Sequence, residues 1–122
     1  MPPLPHILIA EDHDNVRALL ARVVVRTYPA VTITTVVNGA LALDAYRAHG
    51  ADLLITNHNM PIMSGIDLIR ALHARQVNIP ILMVSSDPAI ELSALAAGAT
   101  RFLLKPFVLA ELQQALIDLF PR

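Results

Sequence analysis

Four sets of polar residues stand out in a strongly apolar chain: the adjacent carboxylates Glu11-Asp12, the amides Asn57 and Asn59, the hydroxyls Ser85-Ser86, and Lys105. Neighbouring carboxylates repel. At an effective dielectric near 20, two charges about 4 Å apart cost about 4 kcal/mol, so the pair invites a cation. Oxygen ligands alone favour Mg²⁺, which binds through one or two carboxylates and keeps several waters. An ammonium and a hydroxyl facing such an ion suit a tetrahedral anion. Together these residues read as a rim for a phosphoryl group beside Mg²⁺, to which Asn57 and Asn59 bring neutral amides.

Such residues meet only if each closes a strand of one sheet. The central stretch is Asp52-Leu53-Leu54-Ile55-Thr56-Asn57-His58-Asn59-Met60-Pro61-Ile62-Met63-Ser64-Gly65. Leu53 to Ile55 shows no apolar–polar alternation, as expected of a strand covered on both faces, and it stops in polar residues before Pro61 and Gly65 turn the chain. Ser64 and Asp67 stand three apart like a capping box, ahead of Leu68, Ile69 and Leu72, which predicts a helix. Upstream, His6 to Ala10 reads as a first strand ending in Glu11-Asp12. Asp14 is the expected N-cap of a helix with the stripe Val16, Leu19, Leu20, Val23 and Val24. The β-branched run Val31 to Val37 predicts a second strand. Asn38-Gly39 opens a short helix carrying Leu41, Ala42, Ala45 and Tyr46, closed by Gly50. Ile79 to Val84 predicts a fourth strand ending in Ser85-Ser86, and Asp87-Pro88 caps a helix over Ala89 to Ala97. Arg101 to Leu104 predicts the fifth strand, ending in Lys105-Pro106, and Leu109, Leu112, Leu116 and Leu119 mark the last helix. Five strands alternating with five helices predict a doubly wound α/β sandwich on a parallel sheet of order 2-1-3-4-5 with right-handed crossovers. The rim then lies at the carboxyl edge between the first and third strands, where the winding reverses.

Composition narrows the possible functions. A chain of 122 residues is expected to form one domain, over 6–122, behind a flexible tail at 1–5. Charged residues make up 16%, against roughly 25% in an average domain, so there is apolar material for a core on both sides of the sheet. A net charge of −1 lacks the basic excess of a nucleic-acid binder and gives no support for a membrane surface. There is no cysteine, hence no disulfide or thiolate metal site, and the start has neither a basic segment nor an apolar h-region, so a cytoplasmic protein is expected. His6, His13, His49, His58 and His73 lack zinc spacing and read as surface residues. His58 should point away from Asn57, as strand neighbours do. The competing class is an enzyme that binds a flavin or nucleotide on the same fold. Gly39, Gly50, Gly65 and Gly98 are too scattered for G-x-G-x-x-G, a P-loop or G-x-S-x-G, and there is no tryptophan to stack on a flavin. A binding module rather than an enzyme is the reading.

With the rim, the turn and the elements in place, the chain resembles the receiver domain of two-component response regulators, a flavodoxin-like (βα)5 family, from about His6 to Phe120. The resemblance rests on Glu11-Asp12, Met60-Pro61 and Gly65, Ser85 at the switch hydroxyl position, Phe102 at the switch aromatic position, and Lys105-Pro106-Phe107. A receiver is itself a standard example of the 2-1-3-4-5 order, so that order is shared with the family and does not support it independently. The resemblance implies that an aspartate on the third strand takes a phosphoryl group from a sensor histidine kinase or phosphotransfer protein. Mg²⁺ would be held by the acidic pair, that aspartate and the backbone carbonyl two residues later; here the positions are Glu11, Asp12, Asn57 and the carbonyl of Asn59. Lys105 would contact the phosphoryl group, and Ser85 would move toward it as Phe102 turns inward. The fourth helix, fifth strand and fifth helix would form an output face for a partner protein or a second copy, with no direct contact to nucleic acid or membrane. That region reads as apolar through Ala94, Ala96, Ala97 and Leu103, with few charges such as Glu91, Arg101 and Glu111.

Residue 57 departs from the pattern. An amide oxygen is a poor nucleophile, so aspartyl phosphorylation should not occur, and Mg²⁺ binding should weaken. Two readings are open: a pseudo-receiver that acts without phosphorylation, or an ordinary receiver made inactive by an Asp to Asn exchange.

Overall fold

A computed structural model describes residues 4–122. The elements alternate as β1 His6–Ala10, α1 Asp14–Thr27, β2 Thr32–Val36, α2 Gly39–His49, β3 Leu53–Thr56, α3 Gly65–Ala74, β4 Ile81–Ser85, α4 Glu91–Ala97, β5 Arg101–Leu104 and α5 Leu109–Leu119. All strand pairs are parallel, and the sheet order is β2-β1-β3-β4-β5. This is the expected flavodoxin-like doubly wound sandwich.

The pleat divides the core between the two faces. Ile7, Ile9, Leu53, Ile55, Leu82 and Val84 pack against Leu20, Val23 and Val24 of α1 and Leu112, Ala115 and Leu116 of α5. Leu8, Ala10, Leu54, Ile81 and Met83 pack against α2, α3 and α4 through Ala42, Leu43, Leu68, Ile69, Leu72 and Ala94. Each fully buried Leu or Ile contributes roughly 1.5–3 kcal/mol. Every residue of β3 and β4 is buried, which is why those strands read as unbroken apolar runs. The winding reverses between β1 and β3, so the loops after these two strands diverge to opposite faces and leave a crevice at their carboxyl ends.

Several element ends differ from expectation. His13, not Asp14, is the N-cap of α1, and no side chain caps this helix. Asp14 already lies in the first turn, where the helix dipole favours it and Arg17 pairs with it at 2.6 Å. The helix expected over Ala89 to Ala97 is divided: Pro88–Ile90 form a 3-10 turn and the α-helix begins at Glu91. Asp87 Oδ1 accepts from the Ala89 N–H at 2.9 Å, a two-residue reach that closes a turn tighter than an α-helical one. β4 starts two residues late, because Pro80 has no N–H for a ladder, and extends to Ser85, whose carbonyl accepts from the Lys105 N–H at 2.8 Å. The caps at Asn38 and Ser64 form as expected, accepting from the Leu41 and Asp67 N–H groups at 2.8 and 3.2 Å. Of the tail expected at 1–5, residues 1–3 lie outside the described residues, while the Pro5 carbonyl accepts from the Thr32 N–H at 2.8 Å and so joins the sheet edge. Among the described residues no helix is long and apolar enough to cross a membrane.

Candidate functional site

Asn57 stands at the end of β3, and the backbone on each side of it is fixed. Its N–H donates to the Ala10 carbonyl at 2.9 Å, and its own carbonyl accepts from the Thr56 hydroxyl at 2.8 Å. The β3–α3 loop then folds back on the strand: Gly65 N–H donates to the His58 carbonyl at 2.9 Å, and a Cβ at Gly65 would run into the Asn57 carbonyl. Only glycine permits that approach. His58 turns its Nδ1 toward the Ile66 N–H at 3.4 Å, at the start of α3 and away from the Asn57 side chain.

The Asn57 carboxamide is the centre of the rim. Its Nδ2 donates to Glu11 Oε2 at 3.2 Å, to Asp12 Oδ1 at 3.2 Å and to the Asn59 carbonyl at 3.0 Å. On the other side, Lys105 Nζ lies 3.5 Å from Asn57 Oδ1 and 2.8 Å from Glu11 Oε1. The lysine fixes which way the amide faces, since a flip would set its NH₂ against an ammonium and leave both carboxylates facing an oxygen. Glu11, Asp12, Asn57, the Asn59 carbonyl and Lys105 therefore converge as one unit.

Glu11 is completely buried, so its charge must be met by partners. Besides Lys105 and Asn57, it accepts from the His13 N–H at 3.2 Å. His13 Nδ1 lies 3.4 Å from Glu11 and 3.3 Å from Asp12, and Arg17 Nη1 donates to the Glu11 carbonyl at 3.0 Å. Neither His13 nor Arg17 was anticipated at the rim. The available signals were His13's adjacency to the acidic pair and Arg17's place one helical turn further on. Asp12 titrates below the ordinary carboxylate range: burial raises it, but hydrogen bonding with Glu11, its own backbone N–H and the Asn57 amide together outweigh that.

Ser85 is buried at the end of β4 and accepts from the Asp87 N–H at 3.1 Å, which leaves the hydroxyl proton available to donate. Ser86 is exposed and lines an apolar cavity of about 350 Å³ with Val16, Leu19, Lys105, Pro106 and Phe107. Phe102 is half-buried on β5 against the α2–α3–α4 side of the core. His6 is not a plain surface residue: it is partly buried, 2.6 Å from the Thr34 hydroxyl, and its ring stacks on that of His49. On the face formed by α4, β5 and α5, Ala94 and Leu103 point inward and are buried. The large apolar side chains presented to solvent there are Leu92, Leu95, Leu104, Val108 and Leu109.

Glu11, Asp12 and His13 each offer a ligand atom within 4.8 Å of the others, so this cluster could hold a metal ion. The donor set does not match that of Mg²⁺ held between β1 and β3, because the inward-facing oxygens already converge on an N–H₂ group. Among the described residues no buried side-chain nitrogen or oxygen lacks a hydrogen-bond partner.

Residues 7–117 match the family model for the response regulator receiver domain. The chain is 33% identical over 110 residues to the transcriptional regulatory protein PrrA of Mycobacterium tuberculosis, covering 88% of this chain and 46% of that protein. It thus spans about half the length of that relative. It is 31% identical over 120 residues to the chemotaxis protein CheY of Pseudomonas aeruginosa, covering 95% of this chain and 96% of the relative. Among solved structures, the signal receiver domain of NarL from Mycobacterium tuberculosis superposes with a TM-score of 0.84 at 28% identity, covering 96% of each chain.

Proposed function

Because the chain belongs to the response regulator receiver domain family, we propose that it serves as a protein-interaction switch module in a two-component phosphorelay, one that aspartyl phosphorylation does not operate as the chain stands. The observation that carries this is the Asn57 carboxamide at the end of β3, oriented by Lys105 and donating to Glu11, Asp12 and Asn59. Residue 57 holds the acceptor position. A carboxamide there offers no nucleophilic carboxylate, and no nearby group converts it into one. Ser85 and Phe102 are the switch pair and Lys105 the phosphoryl contact, each inherited without an acceptor to serve. Mg²⁺, the family's cofactor, is bound at least roughly tenfold more weakly than by the Asn57→Asp form, which is about 1.4 kcal/mol.

The module then acts through surface contacts in the cytoplasm. Its output face is α4–β5–α5, where Leu92, Leu95, Leu104 and Val108 are exposed. This face binds an output protein or a second copy, while a sensor kinase or phosphotransfer protein would be a phosphodonor only to an aspartate form. Incubation with a small phosphodonor and Mg²⁺, followed by intact-mass measurement, tests the proposal. This chain should keep its mass, and Asn57→Asp should gain one phosphoryl group. A stable adduct on this chain that survives replacement of His58 would overturn it.

A further inference from the structure

We infer that the Asn57 carboxamide is a built-in substitute for the divalent cation, closing the β1–β3 rim without an ion and competing with any ion offered to it. This rests on reading residue 57 as the family's acceptor position, and it goes beyond the loss of a ligand. A weak ligand and a competitor make opposite predictions for what happens when the side chain is deleted.

The geometry favours the competitor. The three oxygens on which Nδ2 sits, from Glu11, Asp12 and Asn59, are three of the four positions from which the family draws its metal ligands. The fourth is Asn57 itself. An amide N–H₂ placed among them supplies partial positive charge where an ion would supply two full charges. The remaining charge is met by the Lys105 ammonium, 2.8 Å from Glu11 Oε1, with His13 beside both carboxylates. For Asn57 to become a ligand, its Oδ1 would have to turn inward. Its N–H₂ would then face the ammonium, and its two N–H donors would lose the three oxygens they now share. A cation thus enters only by displacing the amide.

Mg²⁺ titrations of this chain, Asn57→Ala and Asn57→Asp, read by melting temperature and by binding calorimetry, separate the two cases. The inference expects affinity to rise in the order this chain, Asn57→Ala, Asn57→Asp, with the alanine form binding Mg²⁺ roughly tenfold or more tightly than the parent despite having one side-chain ligand fewer. Equal or weaker binding by Asn57→Ala than by this chain would overturn it, while tight binding by Asn57→Asp would leave the rim itself intact. No binding by Asn57→Asp would instead overturn the reading of residue 57 as the acceptor position, on which the inference stands. Should Asn57→Ala not fold, the unmodified chain gives the answer through the side-chain ¹⁵N–¹H₂ signals of Asn57. These should exchange slowly and stay unmoved as MgCl₂ is added. A saturable shift with an affinity matching that of Asn57→Asp would contradict the substitution.

Discussion

Ile62 has a backbone φ of 71° with its side chain 84% exposed. Positive φ in a β-branched residue is strained, because Cβ crowds the neighbouring carbonyl. Here the strain is not relieved by burial. The loop's shape is imposed from outside: Gly65 closes on the end of β3, and the Met63 carbonyl accepts from the Gly39 N–H at 3.0 Å, so the residue between must turn. Asparagine tolerates this conformation at no packing loss. Ile62→Asn should therefore raise stability by roughly 0.5–1 kcal/mol in denaturant unfolding, and an unchanged or lowered midpoint would show that the exposed isoleucine is held by contacts. This detail was not legible in the sequence, where Pro61 and Gly65 announced a turn without its dihedrals. The residues meeting at the rim were legible as strand ends, whereas the amide's orientation was not. That orientation depends on Lys105, forty-eight residues away, and on loop geometry that no local pattern encodes.

At the level of elements, α1 and α5 are joined at their ends by Tyr28, whose hydroxyl lies 2.9 Å from the Leu116 carbonyl and 2.6 Å from that of Phe120. Burial pushes its phenol up to about 12. The folded state therefore holds the proton more tightly than the unfolded chain. The associated stability is complete below the ordinary value of 10.0 and is lost as pH rises from there toward about 12. Tyr28→Phe should cost about 1 kcal/mol at neutral pH through the lost hydrogen bonding. In denaturant melts at pH 11 the gap should close by roughly 1 kcal/mol, because only the parent has at position 28 a phenol that ionises on unfolding. A gap of constant size would mean that Tyr28 is not buried in this way. Periodicity revealed the stripes of α1 and α5 but not this clasp, since Tyr28 lies just beyond the last turn of α1. The same limit explains α4: Asp87-Pro88 marked a start correctly, yet only geometry separates a 3-10 turn from the first turn of an α-helix.

At the scale of the molecule, the proposed output face is crossed by an ion pair, with Arg101 Nη1 2.7 Å from Asp118. Hydrogen bonding from Gln114, and then Arg101, holds the Asp118 carboxyl below its ordinary range. The pair's contribution is therefore present above the ordinary carboxylate value and fades as pH falls through the lowered one. If this face binds a second copy, sizing across a concentration series should show self-association, and Arg101→Glu should weaken it. A strict monomer indifferent to that change would count against the face. The central claim, that the Asn57 amide satisfies the rim's oxygens without an ion, is tested most directly by the melting temperature of Asn57→Asp against this chain in chelator at neutral pH. A third carboxylate about 5 Å from Glu11 and Asp12 costs about 3 kcal/mol per pair at an effective dielectric of 20 before relaxation, leaving a net penalty of roughly 1–2 kcal/mol once solvent and Lys105 respond. The aspartate form should melt several degrees lower in chelator. Mg²⁺ should narrow the gap by binding only the folded state, and so should acid, as the introduced carboxyl takes up a proton. An aspartate form that melts as high as this chain in chelator, or higher, would contradict the account, because the side chains of Glu11, Asp12 and residue 57 would then not share one pocket.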